Sequence, residues 1–571
     1  MFQTLPGSVE SFMDWPWSQI EPHYRELVDR PFQEEDVAGW LADWTRLIDL
    51  IDERYARLYV AVTLDTADAR AEERYHHFLD TVYPNAQAAD QQLRERLLAS
   101  GLEPPGFEVA LLRMRTETAL FRQENLPLLT EERKLASQYD KIAGAQTVTW
   151  EGRELTLQQL RVVLQTEDRT VRERAWKLAA GRQLADRDAI NRLWVEFMKL
   201  RGQLAENAGL PDYRAYRWKQ MLRLDYTPED SLEFQQAVEQ AVVPAATRVY
   251  EKHRRRLGVD SLRPWDLDLD LYPVQRPGLP SYGSAAGLEN TAERIFERVD
   301  PAFGGYFRTL RSEGLLDLPN RPGKAPGAYC RSFRTAKRPF IFMNAVGLAG
   351  DVRTLLHESG HAFHVFETAP LPYAQQRNPG LEFNEVASMA QELLASPYLS
   401  KDQGGFYSPE DAARFRLEHL EHILTFWPYM AVVDAFQHWV YQNHNLASDP
   451  ARCDATWLKL WQRFLPGVDW SGLEAEAMTG WHRKLHIHRY PFYYIEYGVA
   501  QLGAVQVWKN ALEDQAGAVA SYRKALSLGG TARLPELYRT AGAKFAFDAG
   551  TLGEAANLVE ETITALEEQS T

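Results

Sequence analysis

The sequence predicts a mainly helical protein with a small β-sheet next to one histidine-rich helix. Two observations support this fold class. Apolar residues recur every three or four positions through most of the chain, which is the spacing of an amphipathic α-helix. Patterns typical of β-strands are scarce and lie in the middle of the chain, before residue 350. After that residue the helical spacing resumes and continues to the end.

The first half of the chain is predicted to be a succession of helices. In the segment VAGWLADWTRLIDLIDERY one apolar stripe follows the helical period. Similar spacing recurs in EERKLASQYDKIAG, in LTLQQLRVVLQTEDRTVRERAWKLAAGR and in DAINRLWVEFMKLRGQLAENAGL. We expect the tryptophans of these stripes to lie in the core. The stripe of the first segment consists of Val37, Trp40, Leu41, Trp44, Leu47, Ile48, Ile51 and Tyr55.

Two segments in the middle of the chain are predicted to be strands. RPWDLDLDLY alternates aspartate with leucine, which favours a strand with one exposed face. A calcium loop is not predicted there, because its turn glycine and distal glutamate are missing. RPFIFMN is a short apolar run, and loops rich in glycine and proline surround both segments. The alternating residues of the first segment are Asp266, Leu267, Asp268, Leu269, Asp270 and Leu271.

Composition limits the class of protein and its partners. At 571 residues the chain exceeds the size of one hydrophobic core, so several domains or one large composite body are expected. An apolar fraction of 45% and a charged fraction of 25% are typical of a soluble globular protein. A formal net charge of -15 argues against nucleic acids and anionic membranes as partners, because both need a basic surface.

Targeting and cysteine content favour a cytoplasmic protein. The first basic residue is Arg25, and no apolar run is long enough to cross a bilayer. Neither a secretory signal nor a membrane anchor is therefore predicted. Cys330 and Cys453 are too few for a disulfide framework, so a reducing compartment is expected.

The segment LLHESGHAFHVFE concentrates histidine and glutamate in thirteen positions. His357 and His361 are four positions apart, so a helix places both imidazoles on one face, about one turn apart. Two such imidazoles can bind one zinc ion. Glu358 directly follows the first histidine and lies beside the metal, where it can accept a proton from water. The spacing H-E-x-x-H therefore predicts a catalytic metal site.

The alternative interpretation is an ordinary solvated helix that happens to be rich in histidine. Its weakness is the apolar character of the flanking residues. A helix with apolar residues on most sides is buried, and buried histidine and glutamate need partners. The metal site is therefore preferred. The flanking residues are Leu355, Leu356, Ala362, Phe363 and Phe366.

A catalytic zinc ion usually has a third protein ligand and leaves its fourth position open. The segment GLEFNEVASMAQELL follows a loop marked by proline and glycine and is predicted to be a helix. It offers Glu382, Glu385 and Glu392 on one face. Spacing alone leaves the choice among these three carboxylates open.

HESGHAFH followed by FNEVASMAQE resembles the M3 family of zinc metallopeptidases, the group of thimet oligopeptidase and oligoendopeptidase F. The oligoendopeptidase F branch is the most similar, and the likeness is strong over roughly residues 320 to 510. The resemblance implies one zinc ion per chain, held by His357, His361 and Glu385. It implies that Glu382 and Glu392 orient the ligand histidines. His364 matches a histidine of the family that does not bind the metal.

The resemblance also implies an architecture and an activity. It implies a large helical body of two lobes around a deep channel that admits short peptides and excludes folded proteins. Residues 1–175 are then an N-terminal helical region of the channel wall, and residues 176–571 are a zincin-like catalytic region with C-terminal helices. The implied protein is a cytoplasmic zinc endopeptidase that hydrolyses internal bonds of short peptides, as a monomer or homodimer.

The segment LHIHRYPFYYIEYGVAQLG is predicted to supply donors for the negative charge that develops during peptide hydrolysis. Pro491 suits a helix N-terminus, so residues from Phe492 onward are predicted to be helical. The resemblance implies that one histidine and one or two tyrosines of this segment bind substrate. For any single tyrosine a core position is about equally consistent. We favour His486, Tyr494 and Tyr497, with Tyr490, Tyr493 and His488 as alternatives.

Two further segments near the motif have predicted roles. RPFIFMNAVG is predicted to be an edge strand next to the metal helix, which either pairs with an extended peptide or only supports that helix. The segment EHLEHI contains His419 and His422 around Glu421, but it lacks a downstream acidic partner at comparable spacing. It is predicted to be an ordinary helix.

Two alternative functions follow from other features of the sequence. AVASYRKALSLGG resembles half of a tetratricopeptide helix pair, which suggests a non-catalytic peptide-binding or scaffold protein with a structural zinc. No second copy occurs at a fixed period, so an amphipathic helix pair is preferred. The other alternative is a zinc hydrolase of a non-peptide amide. Glu358 favours an enzyme over a scaffold, because a non-catalytic protein needs no base.

Overall fold

The computed structural model describes residues 2–65, 67–161, 163–267, 282–321, 324–325, 327–345 and 347–570. It confirms the mainly helical fold class. Among these residues no helix is long and apolar enough to cross a membrane. The helices are α1 (Trp17–Asp29), α2 (Val37–Leu64), α3 (Ala69–Thr81), α4 (Tyr83–Ser100), α5 (Glu108–Leu120), α6 (Asn125–Gly144), α7 (Leu157–Leu160), α8 (Arg169–Leu184), α9 (Arg187–Asn207), α10 (Tyr213–Gln220), α11 (Pro228–Ala237), α12 (Val243–Leu257), α13 (Ala285–Val299), α14 (Pro301–Ser312), α15 (Ala349–Thr368), α16 (Leu381–Ala395), α17 (Pro409–Gln442), α18 (His444–Ala447), α19 (Pro450–Phe464), α20 (Glu474–Met478), α21 (Leu485–Arg489), α22 (Tyr494–Glu513), α23 (Gln515–Leu528), α24 (Leu534–Thr540) and α25 (Ala549–Ser570).

The chain forms two compact units, each built from three separate segments. Unit 1 comprises Met1–Ala119, Arg276–Ala412 and Ala500–Phe545. Unit 2 comprises Leu120–Gln275, Ala413–Val499 and Ala546–Thr571. The compact units divide the chain at other residues than the predicted regions 1–175 and 176–571. The functional roles predicted for these two regions stay a prediction.

The apolar stripe of α2 is buried as its spacing predicts. Trp40 and Trp44 are fully buried in the core of unit 1. Their indole N–H groups donate to the carbonyl of Leu27 at 3.0 Å and to the carboxylate of Asp90 at 2.6 Å. Both indole N–H groups therefore keep a hydrogen-bond acceptor when the rings are buried. This avoids the free-energy cost of burying an unpaired N–H group.

The predicted helix over LTLQQLRVVLQTEDRTVRERAWKLAAGR is interrupted. Leu155 and Thr156 end a β-strand, Leu157–Leu160 form α7, and α8 begins only at Arg169. The side chain of Asp168 accepts hydrogen bonds from the backbone N–H groups of Thr170 at 2.9 Å and Val171 at 3.4 Å. Asp168 therefore starts a new helix as an N-cap, and this local hydrogen bonding takes precedence over the continuous apolar period.

A β-hairpin precedes α7, although the sequence predicts strands only further along the chain. β1 (Thr147–Trp150) and β2 (Arg153–Thr156) pair antiparallel. The turn residues Glu151 and Gly152 have positive φ angles of 49° and 79°, the backbone of a tight hairpin turn. Val148 and Trp150 are buried on one face. Their alternation was a strand signal, which is easily missed in so short a segment.

A three-stranded sheet lies next to α15, where the sequence predicts one. Its strands are β3 (Leu316–Pro319), β4 (Tyr329–Phe333) and β5 (Arg338–Ala345), in the order β3-β5-β4. β5 confirms the strand predicted at RPFIFMN. The prediction that it is an edge strand is wrong, because its backbone bonds to parallel β3 on one side and antiparallel β4 on the other. In the described sheet β4 is an outer strand.

The start of RPWDLDLDLY is not an exposed strand. Pro264–Asp266 form a 3₁₀ turn, and Asp266 is fully buried, so the exposure predicted for its side chain is wrong. Its carboxylate accepts hydrogen bonds from Arg169 at 2.8 Å and from Arg172 at 2.9 Å. Two guanidinium groups compensate the buried charge, which the alternating pattern cannot reveal. The rest of the predicted strand, residues 268–271, lies outside the described residues.

The segment that resembles a tetratricopeptide helix forms α23 and supports the histidine-rich region. Tyr522 of α23 is fully buried, and its hydroxyl donates to the carbonyl of Ala387 in α16 at 2.6 Å. Arg523 pairs with Glu367 of α15 at 2.7 Å. The apolar face of α23 therefore packs in unit 1 against the two helices of the motif, in agreement with the preference for an amphipathic helix over a repeat array.

Candidate metal centre

Helix α15 carries H-E-x-x-H and has a well-defined start. The carboxylate of Asp351, in its first turn, accepts hydrogen bonds from the backbone N–H groups of Gly347 at 2.7 Å and Leu348 at 2.8 Å. These bonds satisfy donors that a helix N-terminus leaves without partners, and they place a negative charge at the positive end of the helix dipole. The hydroxyl of Tyr282 donates to the same carboxylate at 2.8 Å.

Helices α15 and α16 approach closely because one residue of the motif is glycine. A Cβ atom on Gly360 would lie 2.4 Å from the carbonyl oxygen of Ala387 and 2.6 Å from the Cα of Ser388. Any side chain would therefore push the two helices apart. Gly360 lies between the two histidines of the motif, so the closest approach coincides with the candidate site.

The three predicted ligands converge within unit 1. The Oε2 atom of Glu385 lies 3.6 Å from Nε2 of His357 and 3.9 Å from Nε2 of His361. The three ligand atoms lie within 4.8 Å of one another, and no other group of three or more such side chains was found in the described part of the chain. Two imidazole nitrogens and a carboxylate oxygen are a donor set that catalytic zinc sites use.

Each ligand is held by a partner of its own. His357 donates its Nδ1–H to the carboxylate of Glu392 at 2.7 Å, and His361 has a hydrogen bond with the main chain of Asn384. The hydroxyl of Ser388 donates to Oε2 of Glu385 at 3.2 Å. Such partners fix which imidazole nitrogen is free to bind a metal. Glu392 thus has the orienting contact that the family resemblance implied for it.

The acidic surroundings affect the two histidines in opposite ways. Burial opposes the charged form of His357, but the hydrogen bond and charge of Glu392, with the charges of Glu385 and Glu358, raise its pKa to about 9. Burial, with the charge of His357, lowers the pKa of His361 to about 3. At neutral pH His357 therefore carries one proton more than a neutral imidazole, and a metal ion that binds this ring has to displace it.

Glu358, the predicted base, lies next to this group without being part of it. Its side chain is buried, and burial raises its pKa to about 7; His357 opposes the rise, and the charges of Glu385 and Glu392 add to it. A carboxylate with a pKa near the working pH can both accept and release a proton.

Two further candidates of this region, His364 and Glu382, are not members of the converging group. His364 is buried, its ring is 6.2 Å from that of Phe383, and it is not among the three converging ligands. Burial lowers the pKa of His364 to about 3, so it is a neutral core histidine. Glu382 is also buried, and its charge raises the pKa of the nearby Tyr538, which burial has already raised.

The histidine and tyrosines favoured as substrate-binding groups form an aromatic cluster in unit 2. The ring of His486 lies 4.9 Å from that of Tyr494 and 6.1 Å from that of Tyr497. Tyr494 and Tyr497 are 5.6 Å apart, and Tyr493 is 5.2 Å from Tyr497. Burial, more than the positive charges of Lys484 and Arg489, lowers the pKa of His486 to about 3, so this imidazole is neutral.

His488, the alternative to His486, is a core residue. It is fully buried, and its ring stacks on Tyr139 at 4.4 Å and on Trp481 at 5.8 Å. Burial lowers its pKa well below the ordinary value. His486 is therefore the histidine of this segment that has its ring among the tyrosines.

The helix that carries the tyrosines begins later than predicted. α22 starts at Tyr494, and Phe492 has a positive φ of 65°, which a helix does not allow. The backbone N–H of Phe492 donates to the side chain of Gln437 at 2.7 Å. Packing of the phenyl ring, which is fully buried, keeps the residue in this unusual conformation. Pro491 therefore precedes a sharp turn and not the first turn of the helix.

Three arginines that the sequence analysis missed hold this turn. They belong to α9, α10 and the loop after α10. They donate to several carbonyls around the break between α21 and α22, which leaves these carbonyls without helical partners. No spacing in the sequence links residues almost 300 positions apart, so the contacts become visible only in the structure. Arg201 binds the carbonyls of Ile487 at 3.4 Å and His488, Arg217 binds that of Pro491 at 3.1 Å, and Arg223 binds that of Phe492.

The second pair of histidines, around Glu421, is not a metal site. His419 is buried, and Glu421 is held by His253 at 2.8 Å and by Lys252. The carboxylate is thus already neutralised within unit 2. This arrangement agrees with the ordinary helix that the sequence predicts there.

The relatives found among known proteins are named as oligopeptidases. The chain is 22% identical over 256 residues to an oligoendopeptidase F homolog of Borreliella burgdorferi, covering 43% of this chain and 41% of that protein. It is 30% identical over 149 residues to oligopeptidase PepF of Bacillus subtilis, covering 24% of this chain and 22% of that protein. The alignments therefore span less than half the length of these relatives.

Solved structures extend the likeness to the whole chain. The structure of PZ peptidase A with an inhibitor superimposes with a TM-score of 0.87 and 27% identity, over 98% of this chain and 100% of the other. The model of peptidase family M3 matches residues 162–556, a range that contains the motif, Glu385 and the His/Tyr segment. The chain belongs to peptidase family M3.

Proposed function

We propose that this protein is a zinc-dependent endopeptidase that hydrolyses internal bonds of short peptides. The observation that carries the proposal is the convergence of His357, His361 and Glu385 with Glu358 directly beside them. Membership of peptidase family M3 supports the reaction class, and the relatives are named as oligopeptidases. The proposed stoichiometry is one zinc ion per chain, held by the three converging side chains.

Glu358 is the proposed proton carrier. A zinc ion bound at this site supplies Lewis acidity, which polarises a peptide carbonyl and makes a nearby water molecule more acidic. The carboxylate of Glu358 accepts the proton of the attacking water and later donates it to the leaving amine. Its pKa, raised to about 7 mainly by burial, suits both steps near neutral pH.

His486, Tyr494 and Tyr497 are the proposed donors to the oxygen on which negative charge develops. Their mutual packing in unit 2 supports a shared role, because the rings restrict each other's orientation. Burial raises the pKa of the Tyr494 hydroxyl, so it keeps its hydrogen throughout the pH range of the reaction. A neutral hydroxyl or imidazole N–H donates without adding a permanent charge.

Strand β4 is the proposed main-chain partner of the substrate. It replaces β5, the strand favoured from the sequence, because β4 is an outer strand of the described sheet and next to α15. Pairing through backbone groups binds a peptide largely irrespective of its side chains. The proposed substrates are therefore short peptides of varied sequence.

The proposed compartment is the cytoplasm, where short peptides arise from protein turnover. Both cysteines, Cys330 and Cys453, are free thiols in the structure, which suits a reducing environment. The net charge of -15 supports the proposed absence of nucleic acid and anionic membrane among the partners. The proposed active form is a monomer or a homodimer, two states that sedimentation velocity distinguishes.

The function is tested with an internally quenched fluorescent peptide. We expect cleavage by the purified protein, loss of cleavage with a chelator, and recovery with added zinc. The change Glu358→Gln is expected to lower kcat by at least about 100-fold, since general base catalysis contributes about that much. Glu367→Gln, a change on the same helix at a residue that pairs with Arg523, is the matched control. Cleavage that survives Glu358→Gln contradicts the proposed mechanism.

A further inference from the structure

Strand β4 presents two different faces. Because side chains alternate along a strand, Cys330 and Ser332 share one face, and Tyr329, Arg331 and Phe333 share the other. Cys330 faces the metal helix: burial raises the pKa of its thiol, and the negative charge of Glu358 raises it further. On the opposite face Tyr329 stacks on Phe342 of β5 at 4.7 Å.

On this second face, Arg331 lies over two tyrosine rings. Its guanidinium carbon is 4.7 Å from the ring centre of Tyr59 in α2 and 5.7 Å from that of Tyr329. The ring of Tyr59 in turn packs on those of Tyr55 at 6.4 Å and Tyr75 at 6.2 Å. The guanidinium therefore lies on the surface of a cluster of aromatic rings. These rings fix its orientation without neutralising its charge.

Arg331 has no carboxylate partner among the described residues, unlike four arginines close to it in the structure. Its Nε–H is buried and has no hydrogen-bond acceptor there. The chain is acidic, with a net charge of -15, so carboxylates are abundant. The neighbouring arginines use them: Arg57 pairs with Glu53 at 2.8 Å, Arg321 with Asp317 at 2.7 Å, Arg334 with Asp52 at 2.9 Å and Arg338 with Glu313 at 2.8 Å.

We propose that Arg331 binds a carboxylate of the substrate peptide, either an acidic side chain or the C-terminal carboxylate. This inference rests on the proposed function and names a class of preferred substrate. A guanidinium presents a planar fork of N–H donors that matches a carboxylate, and an arginine oriented by aromatic rings loses little freedom on binding. The missing partner of Arg331 is then supplied by the ligand.

The position on β4 explains why the acidic group is accepted on this side of the sheet. A peptide paired with β4 directs alternate side chains to opposite faces. On the Cys330 face a carboxylate would meet the negative charge of Glu358. On the Arg331 face the sheet separates it from the carboxylates of the metal centre, and it meets an uncompensated positive charge. Arg331 thus favours a substrate that carries a carboxylate, and it fixes the register in which that peptide pairs with β4.

The test uses a series of short fluorogenic peptides that differ only in one residue. Glutamate and glutamine are compared at each position around the scissile bond, and the C-terminus is either free or amidated. Wild-type protein is expected to show a kcat/KM about tenfold or more higher for the peptide with the matching carboxylate. A preference for one glutamate position identifies a side-chain carboxylate, and loss of rate on amidation identifies the C-terminus.

The change Arg331→Gln is expected to remove this preference, so that the acidic peptide and its neutral counterpart are cleaved with the same kcat/KM. Arg331→Lys keeps the charge but loses the fork, and it should retain only part of the preference. Arg334→Gln, which alters a neighbouring arginine that already pairs with Asp52, is the matched control. Equal preference in wild type and Arg331→Gln, or equal loss of rate on all peptides, overturns the proposal.

A failure of the proposed function can be distinguished from a failure of this inference. Fluorescein-labelled peptides of the same series are titrated into the Glu358→Gln protein, which is expected to bind without cleaving. Fluorescence anisotropy then reports the preference for glutamate over glutamine independently of catalysis. A preference that disappears in the Glu358→Gln/Arg331→Gln protein supports the site, and its absence in the single variant contradicts it.

Discussion

His357 donates the hydrogen of its Nδ1 to the carboxylate of Glu392, 2.7 Å away and 35 positions further along the chain. This bond leaves Nε2 of His357 as the nitrogen that faces Glu385, at 3.6 Å from its Oε2. One hydrogen bond between α15 and α16 therefore sets both the tautomer of a ligand and the spacing of the ligand group.

Weakening that bond should weaken metal binding. Glu392→Gln removes the charge that holds the imidazole, and comparable changes around metal sites lower metal affinity about 10- to 100-fold. We expect this loss in a competition titration with a chelator of known zinc affinity. Glu367→Gln serves again as the control on α15. Unchanged affinity in Glu392→Gln would mean that the contact is unimportant for the ligand.

Metal binding should depend on pH in a defined direction. In the metal-free protein the pKa of His357 is raised to about 9, despite burial, by the hydrogen bond and charge of Glu392. Below that pH a metal ion has to displace a proton, so zinc affinity should rise with pH up to about 9 and then level off.

The displaced proton can be counted directly. Calorimetric titration of zinc at pH 7.5, in buffers of different ionisation enthalpy, should report the release of at least about one proton, because His357 gives up one on binding the metal. His361 contributes none, because its pKa is lowered to about 3 mainly by burial. A heat that does not depend on the buffer would contradict the charged state assigned to His357.

The close approach of α15 and α16 gives a prediction with an internal control. Gly360→Ala places a methyl group 2.4 Å from the carbonyl oxygen of Ala387. Overpacking of this kind costs about 1–3 kcal/mol of stability, and separation of the helices should also lower zinc affinity. Gly350→Ala, on the same helix, meets no atom within 4 Å. It should leave Tm and zinc affinity unchanged or slightly raise Tm, as measured by thermal unfolding with and without metal.

The arginines that hold the 487–492 turn give a stability prediction in unit 2. Arg223 and Glu496 pair at 3.0 Å, and each side chain is only 1% exposed. Arg223→Met removes one member of a buried ion pair, which typically costs about 3–5 kcal/mol. Replacing both residues, in Arg223→Met/Glu496→Met, should recover a large part of this loss in denaturant unfolding. A double variant as unstable as the single one contradicts the pairing as the cause.

The convergence of the predicted metal ligands is the part of the candidate site that the sequence could predict. His357, Glu358 and His361 lie within one helical turn of each other, so their geometry follows from the helix period alone. Glu385 needed the family resemblance, because three glutamates of α16 share a face. The role of Gly360 is equally local, yet a single glycine in a helix does not reveal which neighbour it accommodates.

The conformation of the predicted substrate-binding segment and the sheet were harder to predict for a physical reason. β5 has the apolar composition of a strand, but composition does not indicate how many neighbours a strand has. The positive φ of Phe492 depends on burial of its ring and on Gln437, 55 positions away. The arginine contacts to this turn are even more distant in sequence. Such long-range hydrogen bonds have no periodic signature that could be recognised beforehand.

The hydrogen bond from Tyr522 to the carbonyl of Ala387 has a consequence for biosynthesis. A nascent chain possesses every metal ligand once Glu385 has left the ribosome, but the helix that supports α16 is translated 135 residues later. We expect zinc capture by stalled translation products to begin only when α23 has emerged. Delayed maturation of this kind keeps the hydrolytic centre inactive while the rest of the polypeptide is still being made.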